Sequence, residues 1–395
     1  MVHRPRVAIL VESSRGYGRG LLRGITEYLR IHGPWSIYFE ERDLGDPPPD
    51  WLADWKGQGV IARVETRTLA KAISVLGCPA IDLQGVFRDL RIPLIDTDDR
   101  AVTRLAVNHL VDRGFRTLAY CGFVSTNYSD RRCQFFTELV QEIGLTPLIY
   151  QPPVGVRLGG TERQEQQGWL HGDDLAAWLS SLPRPVGLMA CNDIRGQQVL
   201  NACRDAGIAV PDEIAVVGVD DDEILCDLAT PPLSSVAPNT RRIGSEAAEL
   251  LARLMAGSPA PAQPVLIEPL GVVTRQSTNA LAVDDRDVAA AIRYIREHAC
   301  DGIQVEDVLA AVPLSRSVLD RRFKRVIGHS PKEEISRVRL QRVKQLLAET
   351  DHKLPQIAAM TGFPHPEYLS AMFKKTTGQT LGEFREANRQ HAPAE

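Results

Sequence analysis

Along the first 280 residues, short apolar runs alternate with stretches of helical spacing. Val7–Val11 reads as a strand, and Gly20–Ile31, with Leu21, Ile25, Tyr28 and Leu29 on one face, reads as a helix. Strand-like runs recur at Ser36–Glu40, Gly59–Val64, Ala80–Leu83, Pro93–Asp96, Leu118–Phe123, Pro147–Tyr150, Gly187–Cys191 and Ile214–Val219. Val102–Arg113, Phe135–Ile143 and Val199–Ala206 carry helical spacing between them. Such alternation builds parallel sheets covered by helices on both faces, and the length suits two lobes. Leu233–Pro238 and Pro264–Val273 are placed to return between the lobes, making several crossings and a hinge.

From Val305 to Arg385 the pattern is helical throughout, and it repeats. Shifted by fifty residues, Leu319 falls on Leu369, Phe323 on Phe373, Lys324 on Lys374, Gly328 on Gly378, Ser330 on Thr380 and Glu333 on Glu383. Each copy reads as a short helix, a tight turn, a second helix with Leu and Phe four apart, and a terminating glycine. Neither copy is large enough for a core of its own, so the two are expected to share one. This is the pattern of a tandem helix-turn-helix module.

In the first copy Leu319, Phe323 and Val326 face inward, leaving Arg316, Ser317, Asp320, Arg321 and Lys324 outside. A helix in a DNA major groove needs a fork-shaped donor for guanine edges, small polar groups and flanking cations for phosphates. The second copy presents His365, Pro366, Glu367, Ser370 and Ala371, with Lys374 and Lys375 near its end and no arginine. Between the heads, Ser330-Pro331-Lys332-Glu333 is a capping box that starts a helix reaching about Glu349. Such a helix is about 30 Å long. Successive major-groove faces on one side of a duplex lie about 34 Å apart.

Composition narrows the class. The 395 residues are 44% hydrophobic and 24% charged, which suits an ordinary globular protein of two or three domains. No apolar run is long enough to span a bilayer, so no membrane partner and a cytoplasmic location are expected. Seven scattered cysteines without a C-x-x-C pair suggest reduced thiols, not a disulfide frame or zinc site. The net charge of −4 conceals a mildly basic tail, with 18 Lys and Arg against 16 Asp and Glu from Leu281 onward. Charge alone does not mark that tail as a nucleic-acid binder; the arrangement does.

Polar residues gather where the predicted strands end: Ser13 and Ser14, Asp96 and Asp98, Asn192 and Asp193, and Asp220 to Asp222. Ligands of open parallel sheets bind beyond those ends. Carboxylates and amides there, with rings such as Tyr17 and Trp169, suit a polyhydroxylated ligand; the competing role for each Asp or Asn is a helix cap. Cys191-Asn192-Asp193 ahead of a helix, and Val216-Val217-Gly218-Val219-Asp220-Asp221, resemble the sugar-binding domain of LacI-type repressors and periplasmic binding proteins. Asp98 before Leu105-Ala106-Val107-Asn108-His109-Leu110, and Arg132 before Phe136, fit the same resemblance. It implies Ser13 or Ser14, Asp98, Arg132, Asn192 and Asp220 as sugar contacts; Tyr17 and Asp193 join them by position.

Val305–Arg385, through Gly362-Phe363 and Phe373-Lys374-Lys375, resembles the AraC-type DNA-binding domain. The combination implies an α/β two-lobed periplasmic-binding-protein-like domain over 1–279, a linker over 280–287 and an all-α tandem helix-turn-helix domain over 288–395. The function it implies is a sugar-responsive transcription activator, a homodimer that binds operator DNA and RNA polymerase. The implied effector is a pentose such as D-xylose, with no cofactor and no enzymatic activity. Two alternatives stand beside it. Gly16-Tyr17-Gly18-Arg19-Gly20, with Glu40 farther on, invites an NAD-dependent dehydrogenase, although Gly18, Gly20 and Gly24 are spaced one residue too long. The other is a regulator whose ligand domain serves only for dimerisation.

Overall fold

The computed structural model describes residues 4–87, 89–152, 164–166, 172–279 and 285–389. The first lobe is built on parallel strands β1 (Arg6–Leu10), β2 (Ser36–Phe39), β3 (Gly59–Ala62) and β4 (Ala80–Asp82), in the order β2-β1-β3-β4. A bridge from Asp82 to Leu94 leads on to β5 (Ile95–Thr97), which pairs with β11 (Val265–Ile267). The second lobe holds β6 (Leu118–Cys121), β7 (Pro147–Ile149), β8 (Val186–Ala190), β9 (Ile214–Val219), β10 (Ser234–Ala237) and β12 (Gly271–Val273). Their order is β12-β10-β9-β8-β6-β7, with only β12 antiparallel. All six residues of β9 are buried, which is why an uninterrupted apolar run forms a strand there. The chain crosses between lobes after β5, after β10 and after β11.

Helices α1 (Gly16–His32), α3 (Asp99–Val111), α4 (Asn127–Glu142) and α6 (Asp193–Asp205) begin earlier than their apolar spacing predicts. Helices α2 (Arg67–Ser74), α5 (Gly172–Ser181), α7 (Glu223–Leu228) and α8 (Thr240–Met255) complete this part, and the sequence pattern did not reveal them. α1 and α8 pack very closely. A Cβ on Gly20 would lie 2.0 Å from Thr240 Oγ1, one on Gly24 2.0 Å from Arg241 O, and one on Gly244 2.1 Å from Leu21 O. Of the glycines that invite a dinucleotide reading, Gly20 and Gly24 therefore serve helix packing.

The C-terminal part comprises α9 (Arg286–His298), α10 (Val305–Ala311), α11 (Arg316–Ile327), α12 (Pro331–Glu349), α13 (Leu354–Met360), α14 (Pro366–Thr377) and α15 (Leu381–Arg389). The repeat extends to detail. Gly328 and Gly378 both take left-handed φ, 88° and 77°, and close their helices by donating to Lys324 O and Lys374 O. Ser330 with Glu333, and Thr380 with Glu383, make equivalent capping boxes. The expected shared core is not found. Val288, Ile292, Val308, Leu319, Phe323 and Ile335 form one cluster; Leu340, Val343, Leu347, Ile357, Leu369 and Phe373 form another. Each unit obtains its missing wall from a different half of α12, and the first also from α9, so two small cores replace one. No described helix is long and apolar enough to cross a membrane.

Candidate functional site

A cleft of about 650 Å³ opens between the lobes, where the C-terminal ends of both sheets meet. Ser14, Tyr17, Arg132, Asn192, Asp193 and Asp220 line it. Ser13 and Asp98 are not part of that wall. Asp98 caps α3, accepting from Ala101 N at 3.0 Å, so the capping role holds for it and the next residue, Asp99, faces the cleft. Ser13 and Ser14 offer their carbonyls to Arg19, at 3.1 and 2.8 Å. Trp169 lies outside the described residues.

Asp99 is the centre of an ionic cluster. Its Oδ1 accepts from Arg132 Nε at 2.8 Å and its Oδ2 from Arg131 Nε at 2.6 Å; Arg131 also reaches Asp96 Oδ2 at 2.8 Å. Arg132 is held in plane by Cys191 O at 2.5 Å and lies over the Tyr128 ring. Asn192 caps α6 through Arg195 N at 2.9 Å, yet its amide nitrogen still donates to Tyr128 Oη and Glu165 Oε1. It is both cap and cleft residue. Across the cleft, Arg63 stacks on Tyr17 at 4.7 Å and pairs with Glu12 and Gln84, while Tyr17 Oη meets Thr97 Oγ1 at 2.9 Å. Arg15 to Glu165, and Asp222 accepting from Gly16 N at 2.9 Å, clasp one lobe to the other.

Asp220 is different. It ends β9 with φ at 111°, its backbone N–H donates to Val236 O, and its carboxylate has no hydrogen bond among the described residues. Burial pushes it up to about 7, against the pull of Arg132 and Arg63. Asp96 is likewise raised to about 7, by burial and the neighbouring Asp99, with Arg131 opposing. Among the described lining residues, Asp43, Asp96, Asp99, Glu165, Asp193, Asp220 and Asp222 outnumber Arg15, Arg19, Arg63, Arg131 and Arg132.

Asp99, Arg63, Arg131, Tyr128 and Glu165 escaped the sequence reading. Asp99 and Arg131 stand one residue from predicted contacts, and Arg63 follows directly on β3, which ends two residues before the predicted run Gly59–Val64 does. Nothing in the sequence marked Glu165.

In the second candidate region, Arg316, Ser317, Arg321 and Lys324 are exposed on α11, and Asp320 is half-buried. Arg316 pairs with Glu306, leaving Arg321 without an ion-pair partner among the described residues. Arg322 turns inward instead, to Asp285 at 2.5 Å and Asp287 at 3.2 Å, which ties the stretch entering α9 to the first head. On α14, His365, Glu367 and Lys374 are exposed; Pro366 and Ser370 are half-buried, and Ser370 Oγ donates to Pro366 O at 2.8 Å.

Residues 6–99 match the XylR N-terminal domain, 107–278 a periplasmic binding protein-like domain and 308–387 a helix-turn-helix domain. The xylose operon regulatory protein of Escherichia coli strain K12 is 32% identical over 394 residues, covering 98% of both chains. The chain belongs to the xylose operon regulatory protein family. The Haemophilus influenzae member is also 32% identical, over 96% of this chain and 98% of its own. A solved structure described as the xylose-binding transcription activator xylR is 31% identical, with a TM-score of 0.62 over 98% of this chain and 99% of that one. The cellobiose complex of the regulator CelR, 20% identical with a TM-score of 0.56, covers 70% of this chain and 86% of its own and shares the fold. As a member of the family, the chain is a sugar-binding transcriptional regulator with a helix-turn-helix DNA-binding domain, and not an enzyme. The dehydrogenase reading falls with that membership, and its glycines are filled by protein: a Cβ on Gly18 would lie 2.0 Å from Glu12 O, one on Gly20 against the Thr240 side chain and one on Gly24 against Arg241 O.

Proposed function

We propose that the cleft takes an uncharged pentose, D-xylose foremost, and that its occupancy governs how two reading heads engage double-stranded operator DNA. The observation that carries this is Asp220, a desolvated carboxylate with no hydrogen-bond donor of its own, in a chain that also holds the tandem heads. Hydroxyl groups supply the donors it lacks. Two solved or curated relatives are a xylose operon regulator and a xylose-binding activator, which favours xylose among the pentoses. The proposed contacts are Ser14, Tyr17, Asp99, Arg132, Asn192, Asp193 and Asp220. In this reading residues 1–279 bind the effector, 280–287 join the parts and 288–395 bind DNA, in a cytoplasmic homodimeric activator that contacts RNA polymerase. A thermal-shift panel of D-xylose, L-arabinose, D-ribose and D-xylonate tests it, because a specific ligand stabilises by mass action. D-xylose should raise the midpoint and D-xylonate should not. No response to any neutral sugar would reduce the domain to a dimerisation module.

A pH dependence follows from the raised carboxylates. Above their unfolded value of roughly 3.9, Asp96 and Asp220 keep protons in the empty folded chain, so their contribution to its stability declines as pH rises toward 7. Hydroxyls donate to the ionised form, so sugar binding at Asp220 lowers its pKa. D-xylose affinity is therefore expected to rise from pH 6 to 8, with proton release visible as buffer-dependent calorimetric enthalpy. Affinity that falls over this range, with proton uptake, would contradict the assignment.

On the DNA side, Arg321 and Arg325 are the exposed arginines of α11 that no acidic side chain holds among the described residues, and Arg321 lies nearer the start of the helix, where base-reading side chains sit. Arg321→Ala is expected to cost about 1–3 kcal/mol at the operator and to relax preference at one base pair. Equal weakening on operator and random duplexes, measured by gel shift, would assign the residue to phosphate instead.

A further inference from the structure

Helix α3 begins at the cleft and ends on the DNA-binding part. Its first residue, Asp99, is clamped by Arg131 and Arg132, and it follows directly on Asp98, where the chain crosses from the first lobe to the second. Thirteen residues later, about 20 Å away, Asp112 closes the helix. The carboxylate of Asp112 pairs with Arg337 of α12, and its carbonyl accepts from Arg296 of α9 at 3.1 Å. Both arginines also lie beside Glu334, at 3.7 and 3.6 Å, and Glu334 accepts from His329 at 2.8 Å. Burial raises Glu334, but His329, Arg296 and Arg337 outweigh it and hold the carboxyl below its usual range. Four residues beyond Asp112, Arg116 donates to Val326 O at 2.9 Å, in the last turn of the first reading helix.

The end of α3 and the loop after it thus grip α11 and the second turn of α12 together. We propose that α3 is the strut through which the cleft orients the first reading head, with Asp112 and Arg337 as its positioning pair; this rests on the functional reading above. The length of the strut sets the effect. A lobe rotation of about 5° about the crossing at Asp98 moves the far end of a 20 Å rod by about 1.7 Å. That exceeds the roughly 0.5 Å window over which an N–H···O bond keeps its length. A head fixed to the strut is carried out of or into register with a groove; a head released from it is not.

The test uses the full chain, D-xylose and a duplex that the wild type selects from a random pool. D-xylose should change duplex affinity by a coupling factor, for which about 5–150-fold is typical. Asp112→Asn and Arg337→Gln should each bring that factor toward one while D-xylose affinity without DNA stays within about threefold. Arg337→Lys, which keeps a cation beside both Asp112 and Glu334, should retain coupling while Arg337→Gln loses it, a split that a folding defect would not produce. Asp112→Asn and Arg337→Gln variants that keep the wild-type factor, or an Arg337→Lys variant that loses it, overturn the strut. A wild type that binds D-xylose and duplex independently overturns the strut but leaves sugar binding intact. A wild type that binds no D-xylose overturns the functional reading, and the strut with it.

Discussion

Asp220→Ala is expected to abolish most D-xylose affinity while the tandem module keeps its sugar-free affinity for DNA. Hydrogen bonds to a charged acceptor contribute about 1.5–3 kcal/mol each. Losing two sugar hydroxyls, and with them part of the charge balance of buried Arg132, therefore costs at least about 3 kcal/mol, roughly a hundredfold. Asp220 sits at φ 111°, a conformation unwelcome to alanine, so Asp220→Asn is the companion variant. It tolerates the backbone, removes the charge and replaces one acceptor oxygen with an NH2 donor. Calorimetry should find both variants severely weakened for D-xylose, and gel shift should find both binding duplex. Normal sugar binding in the asparagine variant would remove Asp220 from the site.

Two alanines inserted after Val338 are expected to halve the DNase footprint. The insertion turns α14 by about 200° relative to α11. Position 338 lies between the two hydrophobic clusters, with Ile335 in the first and Leu340 in the second. The cores are separate, so each head can stay folded while their mutual phase is lost. α12 spans both, and Gly362 of the second unit also abuts the backbone of Ala299, Cys300 and Gly302, a contact that the insertion must break as well. Unchanged protection of both grooves would mean that the heads bind as independent units on a yielding helix.

The tandem module was legible because its repeat is carried by large apolar residues at fixed offsets, Leu319 and Phe323 against Leu369 and Phe373. The cleft was legible only in part, and for one physical reason. Hydrophobic periodicity marks helix turns that face a core and is silent on turns that face a polar site. α4 was read from Phe135, but its first two turns carry Asn127, Ser129, Arg131 and Arg132, whose partners lie in or near the cleft. α6 was read from Val199 for the same reason, its first turn holding Asp193 and Arg195. The aspartate assigned to the ligand was Asp98, when capping claims that residue and its neighbour faces the cleft. Helix α8 escaped notice because its close-packed face is partly Gly244, Ala247 and Ala248, which give little hydrophobic contrast. The glycines of α1 are ambiguous in sequence because a tight approach by Glu12, Thr240 or Arg241 demands the same missing side chain as a phosphate would.

One measurement bears directly on the junction between the cleft and the heads. D-xylose affinity of the full chain is measured by calorimetry with and without saturating selected duplex, alongside duplex affinity with and without saturating D-xylose. Linkage requires the two factors to be equal. The factor is expected to lie well away from one, the same in both directions. Sugar affinity that ignores DNA, beside duplex affinity that ignores sugar, would contradict it.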